Sequence, residues 1–167
     1  MPRTDFDREL NNLMDELLSL GSMVQKAVLA SLHALKTRDL TISKQVIKDD
    51  DEIDSKAVQI EETCIDLMAT QQPLAGDLRT IVTLLLVSNE LERMGDYAEG
   101  IGKIGLLIGK EPLLKPLIDI PRIGELASNM LRLSLETLVS RDVEGAKKVI
   151  LMDDDVDALY NQIYREL

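Results

Sequence analysis

Apolar residues recur at helical spacing along almost the whole chain. Leu10, Leu13, Leu17, Leu20, Val24, Ala27 and Leu35 follow one another at steps of three or four or their multiples, which predicts a first helix of roughly 30 residues. Arg38-Asp39 interrupts that pattern, and Asp39 is a suitable cap for the helix that follows. The second helix is expected to run to about Thr70 with Val46, Ile47, Ile53, Ala57, Ile60 and Leu67 turned inward. Gln72-Pro73 ends it, because proline disfavours helix in the residue before it. A third helix is predicted from Pro73 or Leu74 to about Ile108. The segment GKEPLLKPLIDIP from Gly109 to Pro121 then reads as a linker. Two further helices are predicted, Pro121 to Ser140 and Asp142 to the end, with Asp142 in the capping role of Asp39.

The pattern repeats. Shifting the sequence by 103, the difference between Asp153 and Asp50, lays residues 23–64 over 126–167 without a gap, and 13 of these 42 positions are identical. The identities include Arg38/Arg141, Asp39/Asp142, Val46/Val149, Ile47/Ile150, Asp50/Asp153, Asp51/Asp154, Asp54/Asp157 and Ile60/Ile163. The chain therefore reads as two copies of one helical unit: 1–108, a linker at 109–120, and an incomplete second copy at 121–167. A third helix of the second copy would start near 176, so the chain is expected to be C-terminally shortened. An apolar face left uncovered in this way is expected to pair, as a dimer or a swapped contact.

Composition narrows the picture. Hydrophobic residues make up 45% of the chain and aromatic ones only 2%, which favours an all-α core of Leu, Ile, Val, Ala and Met over a sandwich or barrel. The net charge of −11 argues against nucleic-acid and anionic-lipid binding. Cys64 is the single cysteine, so no intrachain disulfide is expected. Met1 to Glu9 is polar, unlike a signal peptide, and the apolar run Ile81 to Val87 is far too short to cross a bilayer. The expectation is a soluble, cytoplasmic protein without an integral membrane segment.

The candidate chemistry lies in acidic runs. DDDEID spans Asp49 to Asp54 and DDDVD spans Asp153 to Asp157. Asp50/Asp54 and Asp153/Asp157 are four apart, so each pair shares a helix face, where like charges repel unless a cation lies between them. The third helix carries Glu92 and Asp96 at the same spacing. If the second and third helices form an antiparallel hairpin turning at Pro73, facing residues have numbers summing to about 146. Asp54 then faces Glu92, and Asp50 faces Asp96, at a level ~28 Å from the turn. Packed helices are close enough for these four carboxylates to hold one or more cations. Hard oxygen ligands suit magnesium, calcium, manganese or oxidised iron. Glu99 continues the stripe, and Arg93 neighbours it as a group able to neutralise or orient a carboxylate. Asp49, Asp51 and Glu52 read as solvated. His33, the single histidine, reads as a surface or boundary residue, and Cys64 and the seven methionines read as core. Gly95 and Gly100 inside a helix point to close helix approach or room for an ion cluster.

Three stretches resemble the PhoU family: the D-x-x-x-D of Asp50 and Asp54, QPLAGDLR at Gln72 to Arg79, and ELERMGDYAEGI at Glu90 to Ile101. The last is similar to the family pattern E-x-x-R-x-G-D-x-x-x-N-I through Glu90, Arg93, Gly95, Asp96 and Ile101, and departs from it at Gly100, where the family has asparagine. FDRELNNL around Phe6 is also family-like. The resemblance implies two pseudo-symmetric three-helix bundles, the second lacking its third helix here, with multinuclear metal sites of iron, magnesium or manganese, and homodimers. It also implies negative regulation of phosphate uptake and of the phosphate-starvation response, through the ATPase of the phosphate ABC transporter and a phosphate-sensing histidine kinase. Such partners would hold a cytoplasmic protein at the inner face of the membrane. Carried over, the first metal site uses Asp50, Asp54, Glu92 and Asp96, and the second keeps only Asp153 and Asp157.

Two other readings differ in chemistry. A di-metal carboxylate enzyme of the ferritin type needs Glu-x-x-His pairs, and His33 does not follow a glutamate by three. No phosphate-binding loop, dinucleotide turn or Ser-His-Asp set is present, so no catalytic residue is assigned. A structural helical adaptor with solvated acidic runs would have no metal affinity.

Overall fold

The computed structural model describes residues 3–113 and 116–166, and the described residues form five α-helices and no strand. Helix α1 spans Arg3–Thr37, α2 Leu40–Gln71, α3 Ala75–Ile108, α4 Asp119–Ser140 and α5 Val143–Glu166. Linker residues 114 and 115 lie outside the described residues.

Local chemistry sets the boundaries. The Asp39 side chain accepts from the backbone N–H of Thr41 and Ile42 at 2.8 and 3.1 Å, satisfying two orphan donors of α2. Arg38 ends α1 in the left-handed region at φ 58°, and the Asp39 N–H reaches back to the Ala34 carbonyl at 3.0 Å. The second copy builds the same turn. Arg141 has φ 54°, the Asp142 N–H bonds the Thr137 carbonyl at 3.0 Å, and Asp142 Oδ1 accepts from the Gly145 N–H at 2.9 Å. Gln72 closes α2, also left-handed at φ 45°.

Helices α1, α2 and α3 pack on one another around Leu13, Leu17, Leu20 and Val24 from α1, Ile53, Ile60, Cys64 and Leu67 from α2, and Ile81, Leu84 and Leu91 from α3. Leu131 and Leu135 of α4 extend that core, with α4 lying against α1 and α5. Among the described residues α5 packs on α4 alone.

The α1–α4 seam is reciprocal. A Cβ on Gly124 would come within 1.9 Å of Leu32 Cδ1, and a Cβ on Gly21 within 2.3 Å of Leu135 Cδ1. These four positions are two pairs related by the repeat shift of 103, so each helix offers one leucine and one glycine socket to the other. Gln25 Nε2 donates to the carbonyl and hydroxyl of Ser128, its own repeat counterpart, at 3.2 and 3.1 Å. The two copies thus meet about a pseudo-two-fold axis near these residues.

Candidate metal centre

Helices α2 and α3 run antiparallel, joined by the short Gln72–Leu74 turn, and small residues let them approach closely. A Cβ on Gly102 would lie 3.1 Å from the Ser43 carbonyl, and one on Gly105 would lie 2.8 Å from Ser43 Oγ. A Cβ on Gly95 would meet Ile53 Cγ2 at 2.9 Å and Asp50 Oδ1 at 3.2 Å, so glycine here lets α3 pass directly over the Asp50 carboxylate. Gly100 has open space instead, and the close approach expected there falls at Gly102 and Gly105.

The hairpin brings together the carboxylates that the register predicts. Asp54, Glu92 and Asp96 can each place an oxygen within 4.8 Å of the others, and so can Asp50, Asp96 and Glu99. Asp96 belongs to both trios, so five carboxylates line one continuous groove. Glu99 lies outside the level given by facing numbers, which would set it against Ile47. One further turn of α3 returns it to the stripe of Glu92 and Asp96, and that periodicity is its signal in the sequence.

The site is under electrostatic strain. Oδ1 of Asp50 and Oδ1 of Asp54 are buried and have no hydrogen-bond partner. Burial pushes the Asp50 carboxyl up to about 6, helped by the negative charges of Asp54, Glu99 and Asp96 and opposed by Lys103. Burial also raises Asp54, with Asp96 next, and raises Glu92, with Asp96 and Asp54 next. Arg93 does not enter the groove to relieve this. Its guanidinium turns to Glu90, with Nη1 contacting both carboxylate oxygens at 3.1 and 2.9 Å. A cation between α2 and α3 would satisfy the two orphaned oxygens and reverse the repulsion, and the all-oxygen donor set fits a hard ion.

Other singled-out residues fall elsewhere. Asp153 and Asp157 are exposed on α5, and among the described residues no trio of metal-competent side chains forms around them. Asp49, Asp51, Glu52 and His33 are exposed. Cys64 is fully buried, and burial raises its thiol to about 11, as suits an inert core residue. Lys103, whose Nζ donates to Glu99, leaves no signal in the sequence, because a lone lysine on a helix carries no pattern.

Repeated helical hairpins with an interhelical carboxylate groove define a class of all-α bundle protein distinct from the Glu-x-x-His di-metal bundles. The model of the PhoU domain matches residues 17–105 and 120–167, and the chain belongs to the PhoU family. It is 39% identical over 160 residues to the phosphate-specific transport system accessory protein PhoU homolog of Aquifex aeolicus, covering 96% of this chain and 72% of that protein. The homolog of the same name from Clostridium acetobutylicum is 38% identical over 168 residues, covering 100% of this chain and 77% of the relative. The fold is similar to the crystal structure of PhoU from Pseudomonas aeruginosa, with TM-score 0.92 and 30% identity over 96% of this chain and 78% of that one. The phosphate transport system regulatory protein PhoU from Streptococcus pneumoniae gives TM-score 0.88 and 29% identity, covering 96% of this chain and 76% of the other. No helix among the described residues is long and apolar enough to cross a membrane.

Proposed function

We propose that this chain is a non-enzymatic regulatory accessory of a phosphate-specific transport system, acting from the cytoplasmic side as a negative regulator of phosphate uptake and of the phosphate-starvation response. The observation that carries this reading is 39% identity over nearly the whole chain to a protein named as a phosphate-specific transport system accessory protein. Its partners in this reading are the transporter's ATPase and a phosphate-sensing histidine kinase. The charge of −11 supports docking of the acidic helical surface on basic patches of those proteins and opposes a nucleic-acid partner.

In the same reading Asp50, Asp54, Glu92, Asp96 and Glu99 hold metal ions, of iron, magnesium or manganese type, that tie α2 to α3. The buried Oδ1 atoms of Asp50 and Asp54 support it, since each lacks any other partner. The bound ion supplies positive charge that neutralises the groove, and the helices fix the carboxylates around it. Asp153 and Asp157 form a second site only if carboxylates from another helix complete it. Residues 1–108 act as a complete bundle, 109–120 as the linker and 121–167 as an incomplete second repeat.

The test combines metal analysis with partner binding. Untagged wild-type protein should carry about one metal ion or more per chain, and Asp50→Ala/Asp96→Ala should lose it while keeping its helical circular dichroism. The same variant should lose binding to the transporter ATPase or the kinase at physiological salt. Metal-free protein with full partner binding would make the acidic stripe a solvated face and the chain a metal-independent adaptor.

A further inference from the structure

The carboxylate groove holds five acidic groups, and two cationic side chains act on it. Arg93 is engaged by Glu90, and its charge reaches the groove only at Glu92. Lys103 is placed differently. It stands one turn beyond Glu99 on the stripe Glu92, Asp96, Glu99, its Nζ donates to Glu99 Oε2, and its charge is felt by Asp50 and Asp96. The groove therefore ends in an ammonium fixed to one of its own ligands.

That placement has a consequence for any metal ion entering the trio of Asp50, Asp96 and Glu99. The Glu99 side chain is only 20% exposed, whereas the Lys103 side chain is 60% exposed, so the ammonium can leave for water without disturbing the packing beneath. An exposed i,i+4 pair is weak and salt-sensitive. A divalent ion bound by three carboxylates is a stronger attractor and does not depend on the lysine's geometry.

We propose, resting on the metal-site reading above, that Lys103 is a tethered placeholder cation: it holds Glu99 while no metal is bound and is displaced from Glu99 when a metal ion joins Asp50, Asp96 and Glu99. Lys103 thereby sets the affinity of the site without being a ligand. Its positive charge steadies the metal-free groove and opposes the incoming ion. The role depends on charge rather than on the shape of lysine, so arginine should replace it and neutral residues should not.

A charge series in the full-length chain tests this, using chelator-treated protein, Mn2+ as the probe and calorimetric titration as the readout. Lys103→Gln should bind Mn2+ roughly 3- to 10-fold more tightly than wild type and Lys103→Glu more tightly still, while Lys103→Arg stays within about twofold. In metal-free melts the order should invert, with Lys103→Gln and Lys103→Glu melting a few degrees below wild type and Lys103→Arg level with it. Added salt should shrink both differences. Wild type that binds Mn2+ with Lys103→Gln binding no tighter would overturn the placeholder role and leave the metal site standing. No saturable Mn2+ binding in any of the four proteins would overturn the metal site itself, and the role of Lys103 with it.

Discussion

A carboxylate oxygen buried without a partner costs the folded chain free energy, and Asp50 has this arrangement among four other acidic groups. Its carboxyl is raised to about 6 from 3.8, chiefly by burial. A group raised in this way favours the folded state most when protonated, so its contribution is intact below about pH 4 and is lost as pH rises through about 6. Metal-free protein should therefore lose up to about 3 kcal/mol of stability across that window. Asp50→Asn should flatten the loss and make the metal-free protein more stable at pH 7, which denaturant titrations at several pH values would measure. Metal ions act in the opposite sense, because ligands must be deprotonated, so the rise in Tm given by Mn2+ should grow with pH and shrink in Asp50→Asn, which leaves the Asp54, Glu92 and Asp96 trio intact. Asp50 could be chosen from the sequence by its spacing from Asp54 and its register with Asp96. Its orphaned oxygen could not, since that depends on Gly95 letting α3 pass over it.

Helix boundaries were written locally. The Arg-Asp turn at Arg38-Asp39 recurs at Arg141-Asp142 with the same left-handed arginine and the same aspartate cap, because both features need only neighbouring residues. Packing between elements is less evident in the pattern. Gly21 and Gly124 fall at matching repeat positions, yet only the structure shows that each receives the other copy's leucine. Glycines that look alike in sequence should therefore respond differently. Gly124→Leu should push Leu32 out of its socket and lower stability by about 1–3 kcal/mol. Gly100→Ala, with nothing within 4 Å of the new methyl, should raise it by up to ~1 kcal/mol through helix propensity. Thermal melts of the two variants read the contrast directly.

At the scale of the molecule, the two copies are unequally buried. In the first, α1, α2 and α3 cover one another, whereas α5 rests on α4 alone and leaves Val143, Ile150 and Leu151 at 64–70% exposure. Val143 and Ile150, with the exposed Leu86 of α3, border a cavity of about 840 Å³ between α3 and the α4–α5 pair. Apolar surface of this extent favours association. The expected outcome is a dimer in sedimentation analysis at micromolar concentration, with Ile150→Lys shifting it towards monomer while the melting of the first bundle is unchanged. A wild-type monomer at all concentrations would overturn the homodimer expected from the uncovered apolar face.

The sequence by itself determined the all-α class, the five helices, the aspartate caps of α2 and α5, the two-copy organisation and the four carboxylates that face one another. Each is a matter of short-range periodicity or of register counted from one tight turn, and helical geometry transmits such information over many residues without loss. Tertiary structure alone decided that Glu99 completes a trio with Asp50, that Lys103 closes the groove, that Arg93 turns to Glu90 and that Gly21 and Gly124 are sockets for leucines. These features depend on how closely two helices approach and on which rotamer each long side chain takes. Both are fixed by packing across the interface, where the pattern along a single strand of sequence has no reach.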